Sequence, residues 1–122
     1  VVDYNPYRVL RGRRYKFVRN IASGHQSPLP TDLFRSVSWT AVREQNVQKM
    51  GLRETPRILK REPEELYDIE VDPMETTNLI GNPDLVEIES AMREKLLTFR
   101  RDTKDPWLEV DFQEGRIDDP SI

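Results

Sequence analysis

The stretch that decides the fold is NPDLVEIESAMREKLLTFR, residues 82–100. Asn82 suits a helix N-cap, because its side-chain oxygen can accept a bond from a free backbone N–H, and Pro83 suits the first helical position. The apolar residues that follow are spaced by three and four, which predicts one apolar stripe on a mostly charged helix. They are Leu85, Ile88, Met92, Leu96 and Phe99. The stripe is too short for sustained heptads, so we predict one amphipathic helix packed on a sheet, not a coiled coil.

Two β-rich stretches near the start of the chain predict an antiparallel hairpin for this helix to cover. Residues 7–11 and residues 14–19 flank a Gly-Arg pair that is typical of a tight turn. Because side chains alternate along a strand, Tyr15 and Phe17 should face the packed side while the neighbouring cations face the other side.

The middle of the chain has a weaker pattern. Residues 20–32 are rich in Gly, Ser and Pro and predict a loop. Asp32 is a candidate cap for a helix running from about residue 33 toward residue 50 and ended by Gly51. A polar linker with two prolines should follow, and then a short strand at residues 65–69 closed by an Asp-Pro turn.

Together these elements predict an α+β fold over residues 1–122, taken as a single domain. We expect a small antiparallel sheet of about four strands, covered by the long C-terminal amphipathic helix. Only 36% of the residues are hydrophobic and 34% are charged, so the core should be thin. Residues 109–122 should form an irregular acidic tail. Because the sequence opens on Val1, without Met or a leader pattern, we expect a processed or trimmed chain.

Charge is spread unevenly along the chain, although its net value is only −3. Residues 8–19 hold six cations and no acid, whereas residues 109–119 hold five acids and one cation. The basic stretch fits either a solvated strand face or a site for a phosphate, a sulfate or a nucleic acid. A pI near 5.3 argues against nucleic acid as a partner. No apolar stretch approaches the ~20 residues of a transmembrane helix, so we expect no membrane partner either.

The sequence contains no complete set of catalytic groups. Cysteine is absent, which excludes a thiolate nucleophile and a Cys-based zinc site. His25 is the single imidazole, and no Ser or Asp is spaced as its evident partner. The acids Glu70, Asp72 and Glu75 lack the alternation of a calcium loop. We therefore expect no catalytic residue, no metal ligand and no cofactor in this chain.

One set of motifs resembles a known family. Residues 65–68 (ELYD), residues 72–76 (DPMET) and residues 78–79 (NL) are similar to a signature near the C-terminus of sulfatases. The upstream hairpin and residues 105–107 (DPW) extend the likeness over about residues 5–108. Within the family, the spacing looks most like the heparan N-sulfatase (sulfamidase, N-sulfoglucosamine sulfohydrolase) branch.

The resemblance implies the C-terminal subdomain of an alkaline-phosphatase-like hydrolase that acts on sulfated glycans, by cleaving sulfuric esters or sulfamates. In such enzymes formylglycine and calcium lie in a large N-terminal catalytic domain, so that domain is the implied missing partner. The chain alone should then be inactive. The family also implies a sulfated carbohydrate substrate and a periplasmic, secreted or lysosomal location.

The resemblance also suggests substrate-binding residues. Arg8, Arg11 and His25 are candidates for the rim of the substrate pocket, although both arginines equally suit salt bridges to the missing domain. One sheet face, with Val9, Tyr15 or Phe17 among its members, should be bare or covered by self-association. The alternative function is a non-catalytic module that binds sulfated polysaccharide or another polyanion through the basic hairpin.

Overall fold

A computed structural model describes residues 5–25 and 29–109. The strands and helices in chain order are β1 (Tyr7–Arg11), β2 (Tyr15–Asn20), α1 (Thr31–Phe34), α2 (Val37–Glu44), β3 (Lys49–Met50), β4 (Arg53–Glu54), α3 (Thr55–Leu59), β5 (Glu64–Asp68) and α4 (Val86–Asp102). A 3₁₀ turn at Pro83–Leu85 precedes α4. The main sheet is antiparallel with the order β1–β2–β5, and β3 and β4 form a separate hairpin. The acidic tail beyond residue 109 lies outside the described residues.

The core lies between the main sheet and α4, as predicted. Leu10, Phe17 and Leu66 are partners across the three strands and so share one face. Phe17 and Leu66 are almost fully buried and pack with Leu96 of α4. Tyr15 packs against the same cluster, which confirms the predicted orientation of the hairpin.

The predicted bare face is wrong for Phe17, which is only 1% exposed because α4 covers it. Val9 lies on the other face, since its partner across the hairpin is Val18 and not Phe17. On that face Val9 and Tyr7 are 41% and 49% exposed. Among the described residues of the main sheet, the exposed large apolar side chains are therefore confined to the edge strand β1.

The helix α4 follows the predicted stripe except at its end. Asn82 accepts a bond from the N–H of Asp84, but it caps the 3₁₀ turn at Pro83–Leu85 and not α4, whose N-cap is Leu85. Leu96 is buried, but Phe99 is 62% exposed and Arg100 is buried in its place. The reason is that Asp105, after the helix, binds the Arg100 guanidinium.

The predicted helix from residue 33 to residue 50 is wrong. Ser36 interrupts it, because its side chain accepts a bond from the N–H of Trp39 and starts a new helix there. The second helix ends before Asn46, whose φ is +55°. Gly51 has a φ of +65° and lies in the β3–β4 turn, not at a helix end. The predicted linker is also partly wrong, since Pro56 lies in the first turn of α3.

The sheet has three strands in the described residues, not about four, because an amide occupies the outer edge of β5. Asn78 accepts bonds from the N–H groups of Leu66 and Ile80 and donates to the carbonyl of Glu64. The N–H of Leu79 donates to the carbonyl of Leu66. These bonds satisfy backbone groups that an edge strand would otherwise present to another chain.

Replacing Asn78 with alanine is therefore expected to lower the free energy of unfolding by about 1–3 kcal/mol, because it leaves backbone groups of β5 without partners. Asn78→Asp, which keeps the acceptor and loses the donor, should cost less than the alanine. Urea denaturation followed by circular dichroism measures both. The control is Thr77→Ala at an exposed neighbouring side chain, and an equal loss there would contradict this role for the amide.

Candidate functional site

Arg8, predicted to lie at the pocket rim, forms a bidentate salt bridge within the chain. Its Nε and Nη2 donate to the two carboxylate oxygens of Asp105 at 2.9 and 2.8 Å. The Asp105 side chain is only 4% exposed and also accepts from Arg100 Nε at 2.7 Å. Arg8 therefore joins the first strand to the residues that follow the last helix.

Three further cations of the basic hairpin also have carboxylate partners. Arg14 donates to Asp68 at 2.8 and 2.9 Å. Lys16 Nζ contacts both oxygens of Glu75, at 2.7 and 2.9 Å. Buried Arg19 lies 3.3 Å from Glu64. The hairpin is basic in sequence, but acids from β5 and the loop after it neutralise much of that charge.

The remaining rim candidates lie apart. Arg11 ends β1 beside the hairpin turn, and its side chain belongs to the sheet face opposite that of Arg8. His25 is exposed and follows the other end of β2, and its backbone N–H donates to the carbonyl of Ala22. Arg13 is exposed in the turn. The structure therefore does not gather Arg8, Arg11 and His25 into one site.

The ELYD motif forms a polar cluster on the sheet face away from α4. Asn20 Nδ2 donates to Glu65 and to the carbonyl of Glu62, each at 2.7 Å. The Tyr67 hydroxyl donates to the second oxygen of Glu65, and Arg57 donates to the same hydroxyl at 3.3 Å. Burial, followed by the bond to Glu65, raises the pKa of Tyr67 well above its usual value. The phenol therefore stays protonated at neutral pH and is unsuited to act as a base.

The Asp-Pro turn has the structural role predicted for it. Asp72 accepts bonds from the backbone N–H groups of Thr76 and Thr77 and from the Thr76 hydroxyl. These bonds, the two from backbone N–H groups foremost, hold the pKa of Asp72 below its usual value. Glu75 has a φ of +53° in this turn, which aims its carboxylate at Lys16.

Within residues 5–25 and 29–109, no group of three or more His, Asp or Glu side chains is placed to hold a metal ion. No helix among the same residues is both long and apolar enough to span a membrane.

Two surface clefts were not predicted from the sequence. An open cleft of about 470 Å³ lies beside β5 and is lined by Arg19, Glu62, Pro63, Glu64, Asn78 and Ile80. A groove of about 300 Å³ lies where α2, the β3–β4 hairpin and α3 meet, with Trp39 in its wall. The residues that line each cleft come from separate elements, so no local sequence motif predicts the clefts.

No family model matches the chain. An ulvan-active sulfatase from Formosa agariphila is 34% identical over 93 residues. A human N-sulphoglucosamine sulphohydrolase is 26% identical over 106 residues. The chain is related to sulfatases. These matches cover 75% and 84% of this sulfatase-related chain but only 16% and 21% of the two relatives. The resemblance to sulfatases, and to the N-sulfoglucosamine sulfohydrolase branch among them, is confirmed.

The geometry explains what the sulfatase-like motifs do in this chain. Leu66 fills the core, Asp72 builds a turn, and Asn78 covers the edge of β5. The DPW motif supplies Asp105, which links β1 to the end of α4. In this sulfatase relative, the recognisable residues are engaged in folding contacts.

Proposed function

We propose that this chain is the C-terminal subdomain of a sulfatase that hydrolyses sulfuric esters or sulfamates of sulfated glycans. The observation that carries the proposal is the similarity to two sulfatases over most of this chain but over only 16% and 21% of their length. A match of that kind fits a subdomain whose enzyme holds its chemistry elsewhere. The substrate is a sulfated carbohydrate, of which N-sulfoglucosamine and ulvan are the two forms named by the relatives.

The subdomain completes the fold and supplies no catalytic group. Formylglycine and calcium belong to the catalytic portion of the enzyme, which is the main partner of this chain. The enzyme works in the periplasm, outside the cell or in a lysosome-type compartment. Without the catalytic portion, the chain self-associates through the exposed sheet face of Tyr7 and Val9.

Only exposed residues of this chain can contribute to the rim of the enzyme's substrate pocket. The Arg8 guanidinium is bound to the Asp105 carboxylate, so Arg8 can affect the substrate only indirectly. Arg11 and His25 lie at opposite ends of β2, and a single pocket can border only one of those ends. In the whole enzyme, we therefore expect Arg11→Ala or His25→Ala, but not both, to raise KM with little change in kcat.

The proposal is tested with the whole protein encoded by the gene that contains this chain. The purified protein should release sulfate from N-sulfated heparan oligosaccharides or from ulvan oligosaccharides, followed by ion chromatography. The 122-residue chain, matched in concentration, should release none, because in this proposal formylglycine and calcium belong to the catalytic portion. Turnover by the rigorously purified chain alone would refute the assignment.

The alternative polyanion-binding module is disfavoured by the ion pairs of the hairpin, since four of its six cations contact carboxylates. We expect the isolated chain to leave a heparin column at low salt, because binding to polyanions depends on unneutralised cations. The double variant Arg11→Ala/Arg13→Ala should shift elution only slightly. Tight, salt-sensitive retention that this variant abolishes would favour the module.

A further inference from the structure

A second basic stretch lies at residues 49–61, and unlike the hairpin it is not neutralised. It holds five cations and one acid, Glu54. In the part of the chain that the structure describes, none of these five cations forms an ion pair, whereas four of the six hairpin cations contact carboxylates. Alternation along β4 puts the Glu54 side chain on the opposite side from that of its neighbour Arg53. Three of the cations are arginines spaced by four, and we refer to them as the arginine row: Arg53, Arg57 and Arg61.

Arg53 and Arg57 contact the same loop after β5. Arg53 Nη2 donates to the carbonyl of Met74 at 3.5 Å, and Arg57 Nη1 donates to the carbonyl of Thr76 at 2.7 Å. Arg57 Nη2 also donates to the Tyr67 hydroxyl at 3.3 Å. The two guanidinium groups lie close together, because the carbonyls they bind are only two residues apart. Since these partners are all neutral, the pair keeps its charge and its remaining N–H donors for an oxyanion.

Arg61 extends the arginine row across the sheet face away from α4. Its guanidinium stacks over the ring of Tyr7 at 5.5 Å. Tyr7 on β1 and Tyr67 on β5 are two strands apart, and their partners on β2, Asn20 and Lys16, are four residues apart. The spacing of strands and residues therefore places the Cα atoms of Tyr7 and Tyr67 roughly 16 Å apart. A single small ion cannot contact both ends of the row, so the row fits an extended chain with several negative groups.

Acids near the arginine row have other partners. Asp72 accepts two backbone N–H groups of its own turn. Glu75 binds Lys16 through both carboxylate oxygens. Glu65 accepts from the Tyr67 hydroxyl. An anionic ligand of the row would therefore not have to displace a carboxylate of this chain.

The rings beside the arginine row favour a glycan over a nucleic acid. Tyr67 is only 4% exposed, and Arg61 covers one face of Tyr7. Single-stranded nucleic acids are held largely by aromatic rings on which their bases stack. A glycan needs no such rings, because the oxygens of its sulfate groups can accept paired bonds from guanidinium groups.

We propose that the arginine row binds a linear sulfated glycan, with sulfate groups along the glycan contacting Arg53, Arg57 and Arg61. The inference rests on the proposed function, because the glycan is the substrate of the whole enzyme. It moves the basic contact with substrate from the hairpin to β4 and α3. Three cations give weak, salt-sensitive binding, which agrees with the early elution from heparin expected for the isolated chain.

The test compares KM values of the whole enzyme for long chains and for disaccharides of the glycan that it hydrolyses, N-sulfated heparan or ulvan. Arg53→Gln/Arg61→Gln removes two charges and keeps Arg57, which binds the loop after β5. The KM for long chains should rise about tenfold, because two contacts with oxyanions are lost. A disaccharide is too short to span the row, so its KM should not change, and neither should kcat. The matched control is Lys95→Gln/Lys104→Gln, which removes two exposed charges on the α4 side of the sheet.

A second measurement does not depend on turnover. The whole protein should bind immobilised heparin, and the arginine variant should elute at lower salt than the lysine control. Circular dichroism should show the same fold for both variants.

The outcomes separate this inference from the proposed function. In a protein that releases sulfate, equal elution of the two variants, or equal changes in KM for long and short substrates, would overturn the inference and leave the proposed function standing. Weaker heparin binding by the arginine variant of a protein that releases no sulfate would support the inference and count against the sulfatase assignment. Full displacement of heparin by sodium sulfate, at an ionic strength where sodium chloride has no effect, would identify a site for a free ion and overturn the inference. Equally tight binding of single-stranded DNA would overturn it as well.

Discussion

Replacing Phe17 with alanine is expected to lower the free energy of unfolding by about 3–5 kcal/mol. Phe17 is 1% exposed and packs with Leu66 and Leu96, which together form the buried cluster between the sheet and α4. Small domains have total stabilities of roughly 5–15 kcal/mol, and this core is thin. The variant should therefore be partly unfolded near 37 °C, which urea denaturation and circular dichroism would measure.

Phe99→Ala provides a matched control for this prediction. It removes the same ring from the chain, but Phe99 is 62% exposed on α4. Its loss should change the free energy of unfolding by no more than about 1 kcal/mol, because little of the ring leaves water on folding. Comparable losses at Phe17 and Phe99 would contradict the position of the core.

Replacing Asp105 with asparagine is expected to cost about 3–5 kcal/mol of unfolding free energy. The Asp105 carboxylate binds Arg8 and Arg100, and the side chains of Asp105 and Arg100 are each 4% exposed. Removing the negative charge takes the Asp105 carboxylate from the buried Arg100 guanidinium, and removing one partner of a buried ion pair is strongly destabilising. Asp102→Asn, an exposed acid three residues away, should be nearly neutral.

The same carboxylate should make stability depend on pH. Burial alone would raise the pKa of Asp105, but the bonds from Arg8, the Trp107 N–H and Arg100 outweigh it and hold the pKa below the usual 3.8. A carboxyl whose pKa is lowered by folding stabilises the protein above its unfolded pKa, and this contribution disappears as pH falls through the folded value. The difference in unfolding free energy between the wild type and Asp105→Asn should thus shrink below about pH 4. A difference that stays constant down to pH 2 would contradict the ion pair.

Regular elements of the fold could be predicted because their signals are local. Asn82 caps the 3₁₀ turn that leads into α4, the apolar spacing after it specifies α4, and alternation around Phe17 specifies the hairpin. The single helix expected from residue 33 to residue 50 is wrong because two local features divide and end it. Ser36 caps a second helix, and Asn46 adopts a positive φ that ends it.

Other features depend on partners far apart in the sequence, and no local pattern reveals them. Arg8 and Asp105 are 97 residues apart, so the ion pair that occupies this rim candidate was not foreseen. Arg100 takes the buried position expected for Phe99 because Asp105 neutralises it. The groove beside Trp39 is likewise assembled from elements whose individual sequences are unremarkable.

The Asn78 amide has a consequence for how the protein behaves when concentrated. With its donor and acceptor placed along β5, that side of the sheet cannot accept a strand from a neighbouring molecule. A variant without this amide would expose a strand that includes the fully buried Leu66. We expect such a variant to form fibres at temperatures where the molecule is still folded. The Asn78 side chain therefore maintains solubility as well as the fold.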